Sequence, residues 1–181
     1  QPEVTDPREC DYEAYTDLLY ELRRREGVTR NEARELITRN TNYLGSVMVE
    51  QGDADALLTG LTHHYPSALR PPLQVIGTAE DADVAAGVYM LTFKNRVIFA
   101  ADATVNFDPD SGMLAEITEH TAELARRFNI EPRAAMLSYS NFGSVDNPQT
   151  RTVRNAVSML HEKGVDFPVD GEMQADTAVV E

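Results

Sequence analysis

Tyr12, Tyr15, Leu18, Leu19 and Leu22 recur at the spacing of an amphipathic helix that runs to Arg23-Arg24-Arg25 and stops at Gly27. Asp6-Pro7 ahead of it reads as a turn. Thr29 with Glu32 three residues on is a capping-box pattern, and Ala33, Leu36 and Ile37 give the second helix its buried stripe. Leu44, Val47 and Met48 predict a third helix ending near Gly52, after which Ala54 to Thr59 reads as a short buried strand, with Asp53 and Asp55 flanking its start and Gly60 closing it. Ser67, Leu69, Leu73, Val75 and Ile76 make a further helical pattern. Pro71-Pro72 confines Leu69-Arg70 to an extended or turn conformation, which sets Arg70 at that helix's N-terminus.

From Gly77 to Asp83 the chain turns polar and acidic, and this predicts the boundary between a helical first part, residues 1–78, and a second part, residues 79–181. Val84 to Thr92 and Val97 to Ala101 are apolar, β-branched or aromatic runs joined by the turn Phe93-Lys94-Asn95-Arg96. Asp108 as N-cap with Pro109 at the first helical position opens a helix in which Leu114, Ile117, Thr121, Leu124 and Phe128 repeat. Ala134 to Leu137 reads as a central strand. Asn147-Pro148 starts another helix, with Val153, Ala156, Val157 and Leu160 inward and Gly164 past its end; Val165 to Val169 is a last strand, interrupted by Pro168. Strands alternating with helices predict an α/β layered fold with a mainly parallel sheet and one antiparallel pair from the hairpin.

Composition changes the picture in two ways. With 30 acidic residues against 16 basic ones the net charge is −14, which makes nucleic acid and anionic membranes poor partners. No run resembles a membrane span or signal peptide, and the single cysteine, Cys10, forms no internal disulfide, so a reducing cytoplasm is expected. An anionic ligand meets a repulsive average field on such a molecule, so a phosphate site has to be built locally from arginines and helix N-termini.

The best lead for such a site is Ser138 to Ser144, Ser-Tyr-Ser-Asn-Phe-Gly-Ser, a small-residue polar loop between an apolar run and a helix. Backbone N–H groups and hydroxyls at a strand-to-helix turn satisfy an anion without a metal. The plainer reading is that Gly143 permits a tight turn and the serines cap the next helix. His63 and His64 are adjacent and point in different directions on any regular element, so a solvated pair is preferred to a zinc site. Asp102, Asp108 and Asp110, and again Asp170, Glu172 and Asp176, read as caps and solvated acidic surface rather than magnesium ligands or general bases. Arg23 to Arg25 complement a helix dipole, whereas Arg70, fixed beside two prolines, has few packing reasons to be there. There is no Gly-x-Ser-x-Gly elbow, no Gly-x-Gly-x-x-Gly and no Cys–His pairing at known spacing.

Taken in order, Asp6-Pro7, Glu21-Leu22-Arg23, Gly52-Asp53-Ala54-Asp55, Leu69-Arg70-Pro71, Leu73-Gln74-Val75-Ile76, Phe99 to Asn106, Ile130-Glu131-Pro132-Arg133, Met136 to Ser144 and Asp170-Gly171-Glu172-Met173-Gln174-Ala175-Asp176 resemble the phosphate acetyl/butyryl transferase family. Thr59-Gly60-Leu61-Thr62, Tyr65-Pro66 and Ser140-Asn141-Phe142-Gly143-Ser144 look most like the transferase-like C-terminal domain of bacterial NADP-dependent malic enzymes. The resemblance implies a two-lobe fold of the isocitrate/isopropylmalate dehydrogenase type, a homo-oligomer, and a cleft for coenzyme A and acyl phosphate. It maps anion-binding arginines onto Arg23 and Arg70, beside Ser138, Ser140, Asn141, Gly143 and Ser144 of the loop.

Transferases of the family usually carry a lysine where this chain has Phe142, and the family's catalytic Ser-Arg and Asp belong to a later segment with no counterpart here. Nothing in the chain resembles the malic enzyme's own metal, malate or NADP residues. The resemblance therefore implies an excised piece of the fold with no catalytic residue of its own. It would act as an acetyl-CoA-binding regulatory module beside a malic enzyme catalytic domain that carries NADP and Mg or Mn. The alternatives are phosphate acetyltransferase itself and a purely structural dimerisation domain.

Overall fold

The computed structural model describes residues 10–60, 62–80 and 82–180; Asp6-Pro7 and Leu61 lie outside them. The chain divides into two compact units, Gln1–Ala79 and Glu80–Glu181.

The described part of the first unit is helical. α1 (Tyr12–Arg23) is capped by Asp11, whose carboxylate accepts from the Glu13 and Ala14 N–H groups, and it runs through a 3₁₀ turn to Gly27 at φ +91°. α2 (Arg30–Arg39) starts with the reciprocal Thr29–Glu32 capping box, and α3 (Thr41–Gln51) ends at Gly52, φ +85°. α4 (Tyr65–Val75) closes the set. Tyr15, Leu19, Ala33, Ile37, Tyr43, Leu44, Val47 and Val75 form the common core, drawn largely from the predicted apolar stripes, although Leu22, Leu73 and Ile76 of those stripes are exposed.

Two expectations fail in this unit. Ala54 to Thr59 is not a strand but a loop, tethered where the Tyr15 hydroxyl donates to Asp53 (2.8 Å) and the Thr59 hydroxyl donates to Asn42 (2.6 Å). Leu58 is wholly exposed. Arg70 is not at a helix start either, because α4 runs unbroken through Pro71 and Pro72. Proline at 71 cannot donate to the Ser67 carbonyl, and the Asn42 side-chain amide donates to that oxygen instead, at 3.2 Å.

In the second unit, β1 (Val88–Thr92) and β2 (Val97–Ala101) form the antiparallel hairpin, closed by Phe93 N–H donating to the Arg96 carbonyl (2.8 Å). The first strand is shorter than the apolar run that begins at Val84. α5 (Ser111–Arg127) is capped by Asp110, which accepts from Met113 N–H, rather than by Asp108. β3 (Ala134–Leu137), α6 (Pro148–Lys163) and β4 (Val169–Met173) make a parallel β-α-β unit, followed by the short α7 (Ala175–Val179). Pro168 marks the start of the last strand rather than interrupting it, and its carbonyl accepts from Ala134 N–H at 2.8 Å.

Ala115, Ala122, Met136, Ala156, Val157, Leu160, Phe167 and Val169 form the core of this unit. The chain is α/β, but the described strands make two separate two-stranded sheets, one antiparallel and one parallel, not a wide parallel sheet. β3 is consequently paired on one side only.

One irregularity positions everything that follows. Met136 pairs with Gly171 but Leu137 pairs with Met173, so Glu172 is an extra residue on β4, a bulge that turns its side chain inward. Gly171 makes room for it. At φ +146° a Cβ on residue 171 would stand 2.5 Å from the Met136 carbonyl oxygen. Gly171→Ala is expected to destabilise the fold by about 1–3 kcal/mol, read as a lower denaturation midpoint of the protein; an unchanged midpoint would show that the strands part freely at this point.

Candidate functional site

β3 runs out at Leu137, and the ladder's last bond is Ser138 N–H donating to the Met173 carbonyl (2.9 Å). The chain then turns through Phe142 and Gly143, both left-handed at φ +47° and +85°, before Asn147 caps α6. Consecutive left-handed residues bring successive N–H groups to the inside of the turn. Phe142 N–H donates to the Glu172 carbonyl (2.8 Å), and Gly143 N–H donates to Glu172 Oε1 (2.8 Å). The buried Ser140 hydroxyl donates to the same Oε1 at 3.0 Å and accepts from Val145 N–H, also at 3.0 Å. Ser144 Oγ stands 3.0 Å from Ser140 Oγ and accepts from Asn141 N–H.

The loop therefore does hold an anion, and the anion is the chain's own. Glu172 has no exposed surface. Its second oxygen, Oε2, faces Arg154 of α6, whose Nε lies 3.3 Å away, while Arg154 Nη2 reaches Asp146 Oδ1 at 2.6 Å. Arg151 completes the chain of charges by gripping Asp146 in a fork, 2.8 and 2.6 Å. Burial pushes the Glu172 carboxyl up, yet the Gly143 N–H, the Ser140 hydroxyl and the Arg154 charge outweigh it and hold the group below its ordinary value. Hydrogen bonds from Arg151 and Arg154 hold Asp146 low as well.

The far side of the loop is tied to the last helix. Asn141 Oδ1 accepts from Gln174 N–H (2.8 Å) and the Thr177 hydroxyl (3.0 Å), and its amide donates to Gln174 Oε1 (3.0 Å). Gln174 in turn donates to the Tyr139 carbonyl at 2.9 Å. Tyr139, Phe142 and Val145 are the large side chains of the loop left exposed, none of them cationic.

The structure thus brings Ser140 and Gly143 directly onto one carboxylate, with Ser144 bonded to Ser140, whereas the Ser138 hydroxyl accepts from Ser140 N–H within the loop and Asn141 bonds Gln174 and Thr177. Arg23 and Arg70 belong to the first unit. Arg23 ends α1 and pairs with Glu26, whereas Arg70 is exposed on α4 and has no hydrogen bond or ion pair with any described residue. Asp170 and Asp176 are solvated as expected, but Glu172 between them is not. Asp110 is a cap, and Asp102 accepts from both nitrogens of Asn106. His63 and His64 are exposed, and no group of three or more His, Cys, Asp or Glu among the described residues is placed to hold a metal.

Sequence reasoning names Glu172 but assigns it to solvated surface, and misses Arg154 and Asp146 altogether. The available signal was Gly171: a glycine inside a strand marks a bulge or a close backbone approach, and the residue after it was the one to suspect.

Residues 2–181 match the family described as phosphate acetyl/butaryl transferase. The chain belongs to this family. It is 37% identical over 177 residues, 98% of its length, to the NADP-dependent malic enzyme of Escherichia coli strain K12, covering 23% of that protein. It is 39% identical over 178 residues to the phosphate acetyltransferase of the same organism, covering 98% of the chain and 25% of that protein. The crystal structure of a phosphotransacetylase from Streptococcus pyogenes superposes with a TM-score of 0.81 at 33% identity, covering 96% of this chain and 55% of that one. The chain spans about a quarter of these curated relatives and about half of that solved transferase chain.

For this family member, Glu172→Gln keeps an acceptor for Gly143 and Ser140 but removes the charge facing Arg154. It is expected to cost about 2 kcal/mol of stability at neutral pH. Because the folded carboxyl titrates below its unfolded value, its contribution is complete above the ordinary glutamate pKa and is lost as pH falls through the lower folded value. The stability gap between the two proteins should therefore close on acidification; denaturation midpoints with a gap that is constant or widens toward acid would contradict this electrostatic account.

Proposed function

We propose that this chain is the transferase-like domain of an NADP-dependent malic enzyme, and that it binds acetyl-CoA to regulate a decarboxylating site elsewhere in a cytoplasmic, oligomeric protein. The observation that carries the reading is the self-occupied loop. Transfer of an acyl group to or from phosphate needs fixed donors and cations aimed at developing charge on oxygen. Here the Ser140 hydroxyl and Gly143 N–H close on Glu172, Arg154 is divided between Glu172 and Asp146, and the outward position 142 holds phenylalanine.

Binding makes lesser demands than catalysis. Arg70, solvated and without a carboxylate among the described residues, is available to clamp a phosphate of the ligand. Regulation then requires acetyl-CoA to bind one state of the whole protein better than another. NADP and a divalent metal, Mg or Mn, would belong to the parent enzyme's other domain, from whose own residues the malate chemistry would come.

Phosphate acetyltransferase is the second reading, favoured by the 39% identity to the Escherichia coli enzyme of that name. In it the thiolate of coenzyme A attacks the carbonyl carbon of acetyl phosphate and phosphate leaves, the thiol proton going to a carboxylate outside residues 1–181.

Two measurements on the full-length protein separate these. Thiol release from acetyl-CoA with phosphate should be negligible, and Phe142→Lys should raise it by at least about tenfold if a missing cation is the deficit; robust turnover by the unaltered protein rejects the regulatory reading. Calorimetry should show acetyl-CoA binding weakened about ten- to a hundredfold by Arg70→Ala, and equal heats for both proteins would remove Arg70 from the site.

A further inference from the structure

Helix α4 should break at Arg70-Pro71-Pro72 and does not. In a continuous helix residue 71 donates to the carbonyl of residue 67, a bond proline cannot make. The donor comes from another helix: Asn42 of α3, almost wholly buried, sends its Nδ2 to the Ser67 carbonyl at 3.2 Å. The same side chain accepts from the Thr59 hydroxyl on its Oδ1 at 2.6 Å, so the amide is used at both ends. Tyr43, the next residue of α3, bonds Gln74 through its hydroxyl. Two consecutive residues of α3 therefore grip α4 on either side of the double proline. Arg70 lies between the grips.

We infer that Asn42 is a positioning residue for ligand binding: by supplying the donor that Pro71 lacks, it keeps α4 continuous and fixes where Arg70 presents its guanidinium. The inference rests on the reading that Arg70 clamps the ligand. Within the α3–α4 contact the Ser67 carbonyl is the one group that calls for the Asn42 amide; the Thr59 hydroxyl, on the loop after α3, takes its other end. What the amide adds is the repair of one specific break.

The repair can be transferred. In Asn42→Leu the Ser67 carbonyl loses its donor, and adding Pro71→Ala restores a backbone N–H four residues on, the partner a regular helix would use. The experiment is acetyl-CoA calorimetry on the full-length protein, well below its melting temperature, with four forms: unaltered, Arg70→Ala, Asn42→Leu, and Asn42→Leu with Pro71→Ala. Asn42→Leu is expected to weaken binding about tenfold and the double variant to recover to within about threefold of the unaltered protein. Because all forms are compared well below their melting temperatures, a role confined to stability predicts unchanged affinity in Asn42→Leu, whatever Pro71→Ala does to the melting temperature.

If Asn42→Leu does not fold, Asn42→Ser, which leaves a hydroxyl near Thr59 but cannot span to Ser67, takes its place with the same Pro71→Ala partner. Affinity unchanged in the Asn42 single variant, or as weak in the double variant as in the single, overturns the inference. Arg70→Ala binding as well as the unaltered protein overturns the ligand reading itself, and that outcome is distinguishable because it does not involve Asn42.

Discussion

A carboxylate without water must find its donors in the protein, and the second unit is arranged around that demand at Glu172. Desolvation alone would drive the group to protonate. What keeps it charged is a set of partners from three elements: the Gly143 N–H and Ser140 hydroxyl donated by the loop, the backbone of the strand that carries it, and the positive charge of Arg154 on α6. Each of these fixes a further feature. The bulge on β4 turns Glu172 inward, Gly171 is there because that turn presses the backbone onto Met136, and the left-handed pair Phe142-Gly143 aims one N–H at the Glu172 carbonyl and the next at its carboxylate. Asp146 then balances the arginine that the buried carboxylate has drawn in.

The first unit solves a smaller problem by the same means. Its apolar core is generic: helices with Leu, Ile, Val and Tyr on one face would associate with many registers at little difference in energy. The Asn42 amide is not generic, because both of its ends must be met at once by Thr59 and Ser67. The loop after α3 and the proline-bearing helix α4 are thereby held to one arrangement. In both units the apolar residues drive association, and a single buried polar group selects the geometry.

This division explains which features the sequence discloses. Helix ends are written locally: Thr29 with Glu32, Asn147 before Pro148, and the glycines at 27, 52 and 164 act within a few residues of themselves, and the structure has them where the pattern puts them. Even local rules fail when two equivalent groups compete, as with Asp108 and Asp110, where only the geometry of the turn selects the cap. The sequence sets Arg70 at a helix start because the donor that rescues its helix, Asn42, lies 25 residues before the Ser67 carbonyl it serves. Glu172 reads as surface in the sequence because its partners lie 29 and 32 residues upstream, and an acidic chain makes every glutamate look solvated. Ala54 to Thr59 has the composition of a strand, but two long-range hydrogen bonds make it a loop. Nothing within a short window records any of these.

Net charge gives the arginines their meaning. With −14 overall, carboxylates outnumber guanidinium groups, and the structure uses most arginines locally: Arg30 between Glu13 and Asp17, Arg34 on Glu13, Arg126 on Asp166, Arg151 and Arg154 on Asp146. An arginine left without a carboxylate on such a surface is the exception, and Arg70 is among those exceptions. The long-range field opposes an incoming phosphate, while a solvated guanidinium attracts it only within a few ångströms. Added salt screens the first of these more completely than the second, since a close, bidentate contact sits well inside a Debye length. On the proposed role of Arg70, a phosphate-bearing ligand would therefore be held by contact rather than drawn in by the field, and the stiffness of the helix behind that guanidinium would matter more than the charge around it.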